Sequence, residues 1–127
     1  LSNSVILDTH VLIWWVQKST RLTAVAIEII ESAPEVYFSA ASIFEIEIKR
    51  TKIPLLPLDV VAEFLKVGFS ELPITSDHAA RVGKQDSLSG HDPFDRLLIA
   101  QAEATGLKLV TADVKLTKLQ PSNTIAI

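Results

Sequence analysis

His91-Asp92-Pro93-Phe94-Asp95-Arg96-Leu97-Leu98-Ile99-Ala100-Gln101-Ala102 decides how this chain is read, because acid chemistry and helix-start chemistry fall on the same few residues. Asp92 is a good N-cap, Pro93 suits the first helical position, and Asp95 two residues on meets the positive end of the helix dipole. The run to Ala102 is built of strong helix formers, and Gly106 supplies the stop. Taken alone, Asp92 and Asp95 are a D-x-x-D form of the capping box and need no other purpose. Their interest comes from where the other carboxylates of the chain fall.

Upstream, Val5-Ile6-Leu7 is a short β-branched apolar run that ends at Asp8, which predicts a fully buried strand of a parallel sheet with Asp8 at its carboxyl end. Thr9 or Asp8 caps the next helix, where Val11 to Trp15 are apolar nearly all round. Leu22, Val25, Ala26, Ile29 and Ile30 recur at helical spacing behind a Thr23 cap, with Glu28 and Glu31 on the other face. Val36-Tyr37-Phe38 predicts the second strand, ending at Ser39. Phe44 to Lys49 alternates apolar and charged like a half-buried strand. The S-x-x-E spacing of Ser42 and Glu45, and the lack of a turn after the second strand, favour a helix instead, with a capping box that puts Glu45 in its first turn. Pro54 and Pro57 predict an extended link, and Asp59 a cap for a helix over Val60 to Val67. Glu71 to Ile74 reads as a third strand, placed at a sheet edge by Pro73. Thr75 or Ser76 caps a helix through about Lys84, and Gln85 to His91 reads as a polar loop. Leu107 to Val110 is the fourth strand and runs into Thr111-Ala112-Asp113. Val114 to Leu119 is a short helix or turn, and Thr124 to Ile127 a closing strand.

With 127 residues, the chain has room for one domain, expected over 1–127, with a substantial core. Its apolar fraction is 48%, but the apolar runs are short and broken by charge, well under the roughly 18 residues of a membrane span. The surplus of apolar side chains points to self-association or a protein partner. No cysteine is present, which rules out disulfides and thiolate metal sites and fits a reducing cytoplasm. Three scattered histidines leave zinc without a ligand set, and His78 and His91 read as packing or surface residues. There is no signal-peptide pattern, and the absence of Met even at position 1 suggests that the native start is missing or replaced. A net charge of −3 argues against indiscriminate polyanion binding, yet a nuclease can be acidic at its chemistry while nearby Lys and Arg hold phosphates. Lys49, Arg50 and Lys52 form one such basic group, although Lys49 is also placed to pair with Glu45 at i,i+4.

Strands alternating with helices predict an α/β sandwich with right-handed crossovers, in which strand carboxyl ends and helix amino ends share one edge of the sheet. Asp8, Glu45, Asp95 and Asp113 all fall at that edge. Capping accounts for Glu45 and Asp95 but leaves Asp8 and Asp113 without a reason. Gathering like charges costs stability unless a cation or a proton neutralises them. Mg²⁺ or Mn²⁺, which takes a few carboxylates and leaves room for phosphate oxygens, is the economical answer, and such ions activate water for attack on phosphorus. No P-loop, G-x-G-x-x-G or G-x-S-x-G is present, so nucleotide cradling and serine hydrolysis have no support.

Four blocks in order, VILDTHVLIWW from Val5, SAASIFEIEIK from Ser39, HDPFDRLLIAQA from His91 and LVTAD from Leu109, resemble a PIN domain, in particular the VapC-type toxins of bacterial toxin–antitoxin pairs. The resemblance implies a five-stranded, mostly parallel sheet in the order 3-2-1-4-5. It also implies a Mg²⁺- or Mn²⁺-dependent endoribonuclease, a homodimer, and an antitoxin that blocks the acidic cleft. By position, Asp8, Glu45 and Asp95 match the family's three principal acids and Asp113 the fourth. Thr111 matches a hydroxyl near the metal, and Asp92 an additional carboxylate of this subgroup. Arg96, Lys49 and Arg50 are candidates for phosphate contact. Two other functions fit an Asp after a first strand: a phosphatase working through Asp8, disfavoured because Thr9-His10 brings no second Asp at i+2, and a non-catalytic module whose acids dock a basic partner.

Overall fold

The computed structural model describes residues 3–127. Its strands are β1 (Val5–Leu7), β2 (Val36–Ser39), β3 (Ser70–Leu72), β4 (Lys108–Thr111) and β5 (Thr124–Ala126), all parallel in one sheet of order β3-β2-β1-β4-β5. The helices between them are α1 (Thr9–Gln17), α2 (Ala24–Ser32), α3 (Ala40–Ile48), α4 (Pro57–Lys66), α5 (Ser76–Arg81), α6 (Pro93–Thr105) and α7 (Val114–Leu119). β1 is central, and its three residues are buried, as a strand covered on both faces requires.

Side-chain alternation along the strands divides the core in two. Val5 and Leu7 of β1, Val36 and Phe38 of β2 and Val110 of β4 face α1, α2, α3 and α4 through Leu12, Ile30, Ile46 and Phe64. Ile6 and Leu109 face the other way and pack on Leu98, Ile99 and Ala102 of α6 and Leu116 of α7. The result is a three-layer sandwich, helices on both sides of the sheet.

Local expectations hold where the cap chemistry is unambiguous. Thr23 caps α2, with its hydroxyl accepting from the Ala26 amide, and Gly106 ends α6 with φ of 78°. Thr75 and His78 form a reciprocal capping box on α5, so His78 is a buried capping and packing group. Elsewhere the structure corrects the sequence. Pro57 occupies the first turn of α4, which makes Leu56 the N-cap and puts Asp59 inside the first turn instead of in the capping position. Ser39, not Ser42, caps α3, so Glu45 lies in the second turn and forms no capping box. The stretch read as a helix to Lys84 and a polar loop after it is α5 followed by two 3₁₀ turns, Val82–Lys84 and Asp86–Leu88, with Gln85 and Leu88 buried. Val25, assigned to the inner face of α2, is exposed. Lys18, after α1, adopts the left-handed conformation with φ of 52°.

Candidate active site

β1 delivers Asp8 to the carboxyl edge of the sheet, where it also caps α1. Its Oδ1 accepts from the Thr9 amide at 2.7 Å, and its Oδ2 accepts from the Thr111 hydroxyl at 2.6 Å. That hydroxyl in turn accepts from the Asp113 amide at 3.1 Å, and Asp113 caps α7 by accepting from the Leu116 amide at 3.0 Å. A single chain of hydrogen bonds therefore fixes Asp8, Thr111 and Asp113 across the ends of β1 and β4. Asp92 caps α6, accepting from the Phe94 amide at 2.8 Å.

These contacts reverse part of the sequence argument. Asp8, Asp92 and Asp113 are the capping acids, and capping leaves Glu45 and Asp95 unexplained. Glu45 is 4% exposed, and its Oε2 accepts from Lys49 Nζ at 2.6 Å. Asp95 is half-buried in the first turn of α6, and none of the described residues donates a hydrogen bond to its carboxyl. Burial pushes the Asp95 carboxyl up to about 7, helped by the negative charges of Asp8, Asp92, Glu45 and Asp113. Burial also raises Asp8, against the opposing hydrogen bonds from Thr111 and Thr9. The charges acting on Asp95 are those of the acids singled out in the sequence, so α3, α6, β1 and β4 do bring them into one electrostatic neighbourhood.

Among the described residues, no three acidic or histidine side chains stand close enough to chelate one ion as they are placed. The donor set nonetheless fits a hard divalent cation in its chemistry: carboxylate and hydroxyl oxygens only, one acid already oriented by two donors, and one desolvated carboxyl that accepts no hydrogen bond from the described residues. Asp8 and Asp95, with Glu45 and Asp113 beside them, are the residues that would hold it.

The cations are mostly engaged. Lys49 pairs with Glu45 and lies 3.7 Å from Asp92 Oδ2, and Arg50 lies 3.6 Å from Glu47. Arg96 donates to the Val82 carbonyl at 3.2 Å, and its Nε is buried without a partner among the described residues.

Four groups have positioning roles that the sequence reading did not assign to them. The Thr9 hydroxyl donates to Ser42 Oγ at 2.8 Å, joining α1 to α3 beside Glu45. Ser39 Oγ accepts from the Ala41 amide and donates to Gln101 Oε1 at 2.5 Å, joining α3 to α6. Gln101, fully buried amid Leu98, Ile99, Ala100 and Ala102, carried a readable signal: a lone amide in an apolar helical run must find a partner.

Comparison with known proteins agrees with this fold. The PIN domain sequence profile matches residues 5–120. Ribonuclease VapC22 of Mycobacterium tuberculosis is 36% identical over 120 residues, 89% of each chain. A toxin–antitoxin complex from Klebsiella pneumoniae contains a chain of the same fold, with a TM-score of 0.70 at 20% identity over 96% of each chain. FitAcB from Neisseria gonorrhoeae contains another, with a TM-score of 0.65 at 20% identity over 95% of this chain and 96% of that one. With a profile match across nearly its whole length and a relative of that similarity, the chain belongs to the PIN domain family, in its VapC-type group.

Proposed function

We propose that this chain is an endoribonuclease that hydrolyses RNA phosphodiester bonds with the help of Mg²⁺ or Mn²⁺, and that it is the toxin of a toxin–antitoxin pair. The observation that carries the reading is Asp95: a desolvated carboxyl with no hydrogen-bond donor, facing the charges of Asp8, Asp92, Glu45 and Asp113. Such a group calls for a proton or a cation, and the likeness to a relative named as a ribonuclease favours the cation. In this assignment Asp8 and Asp95 hold the first ion, and Glu45 and Asp113 complete the set directly or through water. Thr111 fixes the rotamer of Asp8, and Asp92 adds negative charge at the rim. When bound, the ion supplies Lewis-acid stabilisation of the charge that builds on the phosphate oxygens. Lys49, Arg50 and Arg96 are the cations of this region assigned to the RNA backbone.

The proposed protein partner is a small antitoxin that covers the acidic edge, with a second copy of the chain as homodimer partner. Exposed apolar side chains support protein contacts: Phe44 and Ile48 of α3 and Leu58 of α4 are each more than half exposed. Among the described residues no helix is long and apolar enough to cross a membrane, and the cysteine-free composition suits the reducing cytoplasm proposed as its location.

The decisive experiment compares wild type with Asp8→Asn and Asp95→Asn on a labelled RNA oligonucleotide, with and without Mn²⁺. Both variants are expected to lose cleavage by at least about a hundredfold while keeping the circular dichroism spectrum of the wild type. Equal cleavage by all three proteins refutes the assignment.

A further inference from the structure

Glu45 is buried as deeply as a core side chain, and the cation that meets it comes from its own helix. Lys49 Nζ is 2.6 Å from Glu45 Oε2, 3.7 Å from Asp92 Oδ2 and 5.8 Å from the centre of the Phe94 ring. These contacts put an ammonium group beside two of the acids, between α3 and the start of α6. The Lys49 backbone is pinned there: its amide donates to the Glu45 carbonyl, and its own carbonyl accepts from the amides of Lys52 and Ile53. The side chain is not pinned in the same way. It is 35% exposed, so its flexible stem has water to move into.

A buried carboxylate stripped of its partner is strongly destabilised, whereas one that exchanges one cation for another is not. Lys49 has two further stations next to Glu45, the exposed carboxylate of Asp92 and the face of Phe94, each suited to an ammonium group. We propose that Lys49 is a built-in counter-cation of the acid cluster: its ammonium neutralises Glu45 until a divalent cation takes that carboxylate, and then moves to Asp92 and Phe94, where it meets the RNA backbone. The inference rests on the metal-dependent ribonuclease reading and adds to it a competition between a tethered lysine and the ion. Metal affinity is thereby held below what the carboxylates alone would give. Lys49 is a positioning residue for the cluster before the ion arrives and a phosphate contact afterwards.

The test begins without RNA. EDTA-stripped wild type, Lys49→Met and Lys52→Met are titrated with MnCl₂ in a calorimeter. Lys49→Met is expected to bind Mn²⁺ about tenfold more tightly than wild type. Lys52→Met, an equal loss of positive charge at an exposed position of the same basic group, is expected to stay within about twofold. In wild type carrying ¹³C at the lysine ε-carbon, the Lys49 ε-CH₂ signals are expected to move as Mg²⁺ is added and to saturate with a Mg²⁺ isotherm measured in the same calorimeter. Binding by Lys49→Met equal to or weaker than wild type overturns the proposal, as does an equal gain in Lys52→Met, which would reduce the effect to a general field. If Lys49→Met does not fold, the ε-CH₂ signals decide, and their failure to move overturns it. RNA cleavage is assayed separately: tighter Mn²⁺ binding by Lys49→Met together with an inactive wild type supports the counter-cation and overturns the ribonuclease reading.

Discussion

Asp95 binds a proton in the folded chain at pH values where the unfolded chain has released it, because its carboxyl rises from 3.8 to about 7 on burial beside Asp8, Asp92, Glu45 and Asp113. A raised acid contributes stability that is complete below pH about 4 and is lost as the pH climbs through about 7. In EDTA, the urea midpoint of the wild type is therefore expected to fall between pH 5 and pH 8, and that of Asp95→Asn to fall less. At pH 8, Asp95→Asn should be the more stable of the two. A wild-type midpoint that is flat, or that rises with pH as steeply as its variant's, contradicts the burial of this carboxyl. The sequence placed Asp95 correctly at a helix start, where the local pattern taken alone offered a capping role. Only the fold distinguishes Asp92, whose carboxylate reaches the Phe94 amide, from Asp95, whose half-buried carboxyl feels the charges of the other acids. The same limit applied to Asp8 and Asp113. Their places at strand ends were legible, but the hydroxyl of Thr111 that ties one to the other spans 103 positions of sequence and could not be read from local pattern.

α3 shows why one element was harder to read than its neighbours. Its buried face is Ala41, Ser42, Glu45 and Ile46, a helical spacing, while Phe44 and Ile48 are exposed. Two polar residues inside and two apolar ones outside produce the period-two alternation that mimics a strand. Ser42 is inside because Thr9 bonds to it, and Ser39 caps the helix because its hydroxyl also reaches Gln101. Ser39→Ala removes a cap and leaves the Gln101 carbonyl oxygen without its donor. The loss is expected at about 2 kcal/mol, read from urea unfolding at constant m-value. A loss below about 0.5 kcal/mol would mean that Ser39 merely ends the strand. In α4 the error was simpler, since Pro57 is compatible with a first helical turn as well as with an extended link, and Asp59 then falls three residues too late to cap.

At the scale of the whole molecule, parallel strands and right-handed crossovers were enough to predict the sandwich and the edge shared by strand carboxyl ends and helix amino ends, while the strand order came from the resemblance to PIN domains. The shape of α/β packing is fixed by chirality more than by individual contacts. Because the sheet is covered on both faces, two cores share it without touching the same helices. Phe64 belongs to one and Leu98 to the other, and both are fully buried. Phe64→Ala and Leu98→Ala are each expected to cost about 3 kcal/mol, and the double variant the sum to within about 0.5 kcal/mol. Strong non-additivity in a double-variant cycle would mean that the sheet transmits strain between its faces. The polarity of the sandwich has a practical side. Asp8, Glu45, Asp92, Asp95 and Asp113 lie towards one pole, and the turns at the opposite pole, around Pro34, Leu107 and Ser122, lie at the start of strands. Since the chain contains no cysteine, a thiol introduced at Ser122 would be unique. The protein could then be anchored to a sensor chip by its blunt end, presenting its chemistry outward to whatever flows past.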